Sequence, residues 1–442
     1  MLQEDRRPVR LDGARGPLTR AASDKILADL RQRSPQSDVL ERHIAVEEAV
    51  AGNPLTIGNQ VTLLEDGAKT YAAMLQAIRG AKRSVHMESY IFESDDVGRE
   101  FAEALKERKR AGVTVRLIVD GVGSIGTPIA FFQDLADAGV EVAIFNPVSA
   151  GTVLSKGTEL QKRDHRKLTV VDGQVAFLGG INISGVYTPE GVGGQRGGIA
   201  GSAGGGNQPF DKRAWRDTQV RIEGLVVEDF QRGFLAMWDR VTQEHLSADK
   251  SQFPTLAPRG TQVVRAVESS PREGGNAMYV TLISAIENAE RKVTITMAYF
   301  VPHDALLQAL KAAARRGVQV RILLPSRTDN WLVLYAGRAY YEDLLEAGVK
   351  IYERENRLLH AKTATIDEVW STVGSTNLDW RSLAYNDEIN AVVLGKEFAL
   401  QMEADFQRDL GYSTEITRES WAHRPLADRV RETAARAWAY ML

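Results

Sequence analysis

The chain has 442 residues, 43% of them apolar, with 55 Lys and Arg against 58 Asp and Glu and no cysteine. That length accommodates two or three domains of about 150 residues each. The net charge of −3 argues against a global basic field for nucleic acid, the missing cysteine excludes disulfides and thiolate metal sites, and no apolar run reaches the ~18 residues of a membrane-spanning helix.

Residues 1–58 are polar and charged, and the first of them lack the apolar stretch of a secretory leader. They read as a loose arm with one short helix near Asp24–Leu30. From Asn59 onward one unit is written twice. Apolar periodicity predicts helices over Tyr71–Gly80 and Tyr279–Ala289, and strands over Arg83–Phe92 and Lys292–Val301. Helices follow over Val97–Arg110 and Asp304–Arg316, with Asp304 as an N-cap and Gly112 and Gly317 as stops. The strand GVTVRLIV in the first copy is matched by GVQVRILL in the second, and further helices are expected over Ile129–Ala138 and Ala336–Ala347. Alternating helices and apolar strands predict an α/β layered fold, and the duplication predicts two such domains about a pseudo-two-fold axis.

Each copy then reaches the same constellation. The first carries His165, Lys167, Asp172 and Gly179-Gly180-Ile181-Asn182; the second carries His360, Lys362, Asp367 and Gly374-Ser375-Thr376-Asn377, with the Asn seventeen positions after the His in both. Residues two apart on a strand share a face, so each His projects with its Lys. Asp172 and Asp367 lie at an odd offset, before Gly173 and Glu368, and read as holding hairpin turns. The carboxylates that orient the imidazoles must then come from elsewhere. The equivalent strand starts near Asp217 and Glu388 supply candidates, Glu388 for His360 and Asp217 for His165.

These paired motifs, with HMESYIFESD, WRDTQVRIEG, MAYFVPHDAL and GSTNLDWRS, resemble the phospholipase D superfamily, and within it the short bacterial cardiolipin synthases without transmembrane helices. The resemblance runs over about residues 60–410. It implies two phospholipase D-like domains, each a mixed sheet flanked by helices, at 59–250 and 251–412, with the active site at their interface. It counts His165, Lys167, Asp172, His360, Lys362 and Asp367 as catalytic, with His165 as nucleophile and His360 as acid and base. Lys167, Lys362, Asn182 and Asn377 would bind phosphate, and neither metal nor cofactor is expected. The implied reaction moves a phosphatidyl group from phosphatidylglycerol, through a phosphohistidine, to a second phospholipid's headgroup alcohol. Hydrolysis of phospholipids and, further off, nuclease activity remain as alternatives. The implied partners are phospholipids and a peripherally bound inner-membrane surface, with no nucleic acid.

Two segments depart from the repeat. A Gly-rich insertion at 185–208 has ten Gly in the 22 positions from Gly185 to Gly206 and reads as a flexible loop or a lid. Within 413–442, Leu426, Val430, Ala434, Trp438 and Leu442 recur every fourth residue among arginines. This is the pattern of an amphipathic helix that packs on the core or lies in a membrane interface.

Overall fold

The structure, a computed structural model, describes residues 9–32, 39–148, 161–189, 214–271 and 276–437. Two mixed sheets are built alike. In the first, Glu141–Phe145, Thr114–Asp120 and Ser84–Ser89 run parallel; Lys167–Val171, Val175–Gly179, Thr218–Glu223 and Leu55–Glu65 then continue antiparallel. In the second, Lys350–Arg354, Gln319–Pro325 and Lys292–Met297 run parallel, followed by antiparallel Lys362–Ile366, Trp370–Gly374, Asn386–Leu394 and Gln262–Ser269. The parallel strands are buried on both faces, as their unbroken apolar runs require. Helices Asp66–Gly80 and Asp96–Arg110 pack on the first sheet and Ala277–Glu287 and Asp304–Arg315 on the second. His303, rather than Asp304, caps the last of these helices.

Leu55–Glu65 joins the two sheets, pairing with Thr218–Glu223 on one side and Gln262–Ser269 on the other. The expectation of a loose arm over 1–58 is corrected here. Helices Arg20–Gln32 and Val39–Val50 are ordered, and Leu11, Leu27, Val39, Leu40 and Ile44 enter the core of the second half. The helix expected over Ala336–Ala347 is two, Trp331–Arg338 and Tyr341–Glu346. Most of the Gly-rich insertion lies outside the described residues, and with it the question of a lid. Its first residues form a short turn, Gly185–Tyr187, that carries a side chain into the site.

The C-terminal segment breaks at Pro425 into helices Arg418–Ala422 and Leu426–Ala437. Trp421 is buried against Tyr341, with ring centroids 4.8 Å apart. The second helix docks through Asp428, Glu432 and the small Ala435. Asp428 accepts from the Tyr335 hydroxyl at 3.1 Å, buried Glu432 holds Arg424 at 3.0 Å, and Leu426, Val430 and Ala434 face solvent. Trp438 and Leu442 lie outside the described residues.

Candidate active site

The short strands Lys167–Val171 and Lys362–Ile366 each have the His at one end and the Asp at the other. The Asp ends are turns. Asp172 and Gly173 have φ of 55° and 64°, and Asp367 and Glu368 have φ of 50° and 57°, the double positive φ of a two-residue hairpin turn of the primed type. Asp172 accepts from the backbone N–H groups of Lys82, Arg83 and Ser84, and Asp367 from those of Glu290, Arg291 and Lys292, at 2.7–3.1 Å. Each Asp therefore fastens its hairpin to the start of the neighbouring strand. Counting these two among the catalytic groups does not fit their position, a strand's length from the imidazoles.

The His ends meet. Asn386–Asp387 pairs in parallel with Arg163–Asp164, and Arg216 bridges Leu359 in the same sense. The His165 N–H donates to Asp387 O at 3.0 Å, and the His360 N–H to Arg216 O at 2.7 Å. This exchange places the residue after each acceptor beside the opposite imidazole. His165 Nδ1 lies 3.0 Å from both oxygens of Glu388, and His360 Nδ1 lies 2.7 Å from Asp217 Oδ2. The expected pairing within each half, Asp217 with His165 and Glu388 with His360, is thus crossed. Each half supplies the carboxylate for the other half's histidine.

The glycine-rich turns of the motif make room for these carboxylates. A Cβ on Gly180 would stand 2.2 Å from Asp217 Oδ1. At the equivalent position Ser375 instead donates to Glu388 at 2.5 Å, joined by Ser382 at 2.7 Å. Gly179 and Gly374 allow the backbone and side chains of the next strand to approach within about the same distance, a Cβ there meeting Thr218 O at 2.4 Å and Asn390 at 2.3 Å.

Lys167 Nζ donates to His165 O at 2.6 Å; Lys362 Nζ donates to His360 O and lies 3.0 Å from His360 Nδ1. All four side chains are buried. Burial, reinforced by the Lys167 and Lys362 charges, holds His165 well below the ordinary imidazole value; burial and Lys362 lower His360. Burial likewise pushes Lys167 down to about 7 and Lys362 to about 8, against the pull of Glu388 and Asp217. Glu388 is pushed by burial up to about 7. Burial acts the same way on Asp217, but the His360 and Lys362 charges more than offset it and leave Asp217 below the ordinary carboxyl value. The site is a concentrated, desolvated set in which two lysines and two imidazoles face the Asp217 and Glu388 carboxylates, so its cationic groups act on a phosphodiester anion with little screening by water.

The two asparagines behave differently. Asn182 Oδ1 accepts from Ile91 N at 3.1 Å while its Nδ2 donates to Tyr187 Oη at 3.1 Å. Asn377 Oδ1 is buried without a hydrogen-bond partner among the described residues. Tyr187 Oη lies 3.2 Å from His360 Nδ1, Tyr90 packs against His165 at 5.0 Å between ring centroids, and Tyr299 against His360 at 6.1 Å. Sequence reasoning missed these three tyrosines. Tyr187 was counted in the insertion, and Tyr90 and Tyr299 stand at strand ends with no spacing signal of their own.

The family described as "Cardiolipin synthase, PLD-like domain" matches residues 74–188 and 282–410. The cardiolipin synthase of Halalkalibacterium halodurans is 34% identical over 89% of this chain and 74% of its own length, and the major cardiolipin synthase of Bacillus subtilis 32% over 86% and 75%. Among solved structures, the phosphatidylserine synthase of Haemophilus influenzae superposes with a TM-score of 0.66 over 91% of this chain and all of that one, at 13% identity, a likeness of fold. No helix among the described residues is long and apolar enough to cross a membrane. Twice matched, and at such identity along most of its length, the chain belongs to the phospholipase D-type enzyme family of the cardiolipin synthases.

Proposed function

We propose that the protein is a cardiolipin synthase. It transfers a phosphatidyl group from phosphatidylglycerol to the headgroup alcohol of a second phospholipid at the inner-membrane surface, where it is bound peripherally. The observation that carries this is the crossed pair of carboxylate–imidazole–lysine sets, buried at one interface. Glu388 holds His165 through Nδ1, leaving Nε2 to attack phosphorus. The P–N bond forms as the P–O bond to glycerol breaks. His360, protonated beside ionised Asp217 once the anionic phosphodiester offsets the burial that lowers it, gives its proton to the departing glycerol oxygen. The neutral His360 then takes the proton of the incoming alcohol, whose oxygen displaces His165 and returns the phosphatidyl group as a new diester. Lys167 and Lys362 stabilise the phosphoryl oxygens throughout, and Asn377 and Asn182 add amide contacts. Asp172 and Asp367 hold the strands that carry the histidines.

Purified protein given phosphatidylglycerol vesicles should yield cardiolipin and glycerol in equal amounts. Phosphatidic acid as the main product would instead make the enzyme a hydrolase. His165→Ala and His360→Ala should each abolish turnover, and wild type quenched in denaturant at mildly alkaline pH should carry a phosphatidyl group on His165. A phosphatidyl group trapped on His360 in the His165→Ala variant would reverse the assignment.

A further inference from the structure

Both halves expose apolar residues at the same place in the fold. The parallel strands Thr114–Asp120 and Gln319–Pro325 are equivalent, and the loops leaving their carboxyl ends lead to helices Ile129–Asp137 and Trp331–Arg338. The first loop carries Val122 and Ile125, and its helix begins at Ile129; the second helix begins at Trp331. These ends flank the site. The strands holding His165 and His360 start there, since Ser89 pairs with Lys167 and Met297 with Lys362. Ser124 donates to the carbonyl of Tyr90, whose ring packs on His165. Asp329 accepts from Tyr299, whose ring packs on His360.

The C-terminal helix extends the second of these patches. Asp428 and Arg431 both meet Tyr335, which packs helix Leu426–Ala437 against helix Trp331–Arg338. Leu426 and Val430 are exposed on the packed helix that adjoins the one begun by Trp331. Exposure at the six apolar positions runs from 37% at Val122 to 75% at Leu426. Arg327 and Arg429 are exposed among them.

We infer that Val122, Ile125 and Ile129 on one side of the site and Trp331, Leu426 and Val430 on the other form a rim that seats in an anionic phospholipid bilayer. This rests on the proposed reaction, whose substrates are held in a bilayer. Apolar side chains and a tryptophan at the rim enter the headgroup–acyl boundary, while the two arginines meet lipid phosphates. The buried histidines then lie behind the rim, and a headgroup is drawn up between the two patches. Because the rim is split between halves as the site is, the two-fold axis points at the membrane.

The test separates docking from chemistry. Binding to phosphatidylglycerol vesicles is measured by co-sedimentation in the His165→Ala background, where no turnover occurs. Adding Ile125→Glu, Ile129→Glu, Leu426→Glu and Val430→Glu should weaken vesicle affinity at least ~10-fold with an unchanged melting curve. In the catalytically intact protein the same four changes should lower turnover on vesicles but not on monodisperse dihexanoyl-phosphatidylglycerol. Brominated phosphatidylglycerol should quench Trp fluorescence in wild type and less in Trp331→Phe. Unchanged vesicle affinity in the fourfold variant, or equal affinity of the wild type for phosphatidylcholine vesicles, would overturn the assignment. A wild type that docks through this rim yet makes no cardiolipin would overturn the proposed reaction alone.

Discussion

His165 and His360 are each held by a carboxylate from across the interface, and each of those carboxylates is fully buried. Asp217→Asn and Glu388→Gln keep the shape and remove the charge that supports the imidazolium. Turnover should fall by about two to four orders of magnitude, the scale of positioned acid–base groups, with little movement of the melting temperature. Asp172→Asn and Asp367→Asn should do the reverse, lowering the melting temperature by loosening three backbone hydrogen bonds each. Parallel melts and assays of the four variants check both halves of the statement. The lysines set a pH limit. With Lys167 near 7 and Lys362 near 8, raising the pH neutralises the charges that bind phosphate. A bound phosphodiester favours their protonated forms and raises both values. Hence kcat/KM should begin to fall above about pH 7 and fall more steeply above about pH 8, while kcat holds to higher pH, as separate pH profiles would show. The residue types of this site were legible in the sequence. Parity along a five-residue strand turned Asp172 and Asp367 away, and the equivalent strand starts in the two halves pointed to Asp217 and Glu388. Their partners were not legible, because pairing across an interface depends on Asn386–Asp387 lying against Arg163–Asp164, a contact between segments more than two hundred positions apart.

At the scale of elements, the glycine turn after each hairpin is a spacer for a carboxylate. Gly180→Ala would place a methyl group 2.2 Å from Asp217 Oδ1, so Asp217 must leave its contact with His360. A loss of turnover of roughly tenfold or more, with KM less affected, is expected from steady-state kinetics. Ser375→Ala acts oppositely on the other side. It makes no clash but takes one hydroxyl from Glu388, which should raise the Glu388 pKa further and move the acid limb of the pH profile upward. The repeated elements were readable because two copies of each pattern support one another. The arm was not, since Leu11, Leu27, Val39, Leu40 and Ile44 are scattered through a polar stretch. Their burial is decided by the second half's core rather than by local pattern. The C-terminal helix was legible as amphipathic, but not which of its faces docks. Its period-four apolar face is real in sequence, but Tyr335 and Arg338 offer polar partners, and the helix docks by Asp428 and Glu432 instead.

At the scale of the molecule, the N-terminal segment stabilises the half that it does not precede. Glu47, fully buried on helix Val39–Val50, accepts from the Trp370 indole at 3.0 Å, meets His43 Nε2 at 3.0 Å, and stands 3.3 Å from Arg265 Nε. Arg265 is itself buried, with Glu48 as its other carboxylate at 2.5 Å. Burial alone would raise the Glu47 pKa, but Arg265 and His43 more than offset this and keep it ionised. Glu47→Ala then leaves a buried guanidinium short of charge and a buried indole N–H short of an acceptor. The expected loss is about 3 kcal/mol, or roughly 3 °C in melting temperature for a chain of this length. None of these groups touches His165 or His360, so kcat and KM at low temperature should match wild type, and activity should be lost on heating together with the structure. Since Leu55–Glu65 ties both sheets together and the site needs both halves, a single coincident transition is expected for the melt and for activity. Reduced kcat at low temperature with an unchanged melt would mean that the arm positions the site directly and is not simply part of the second half's core.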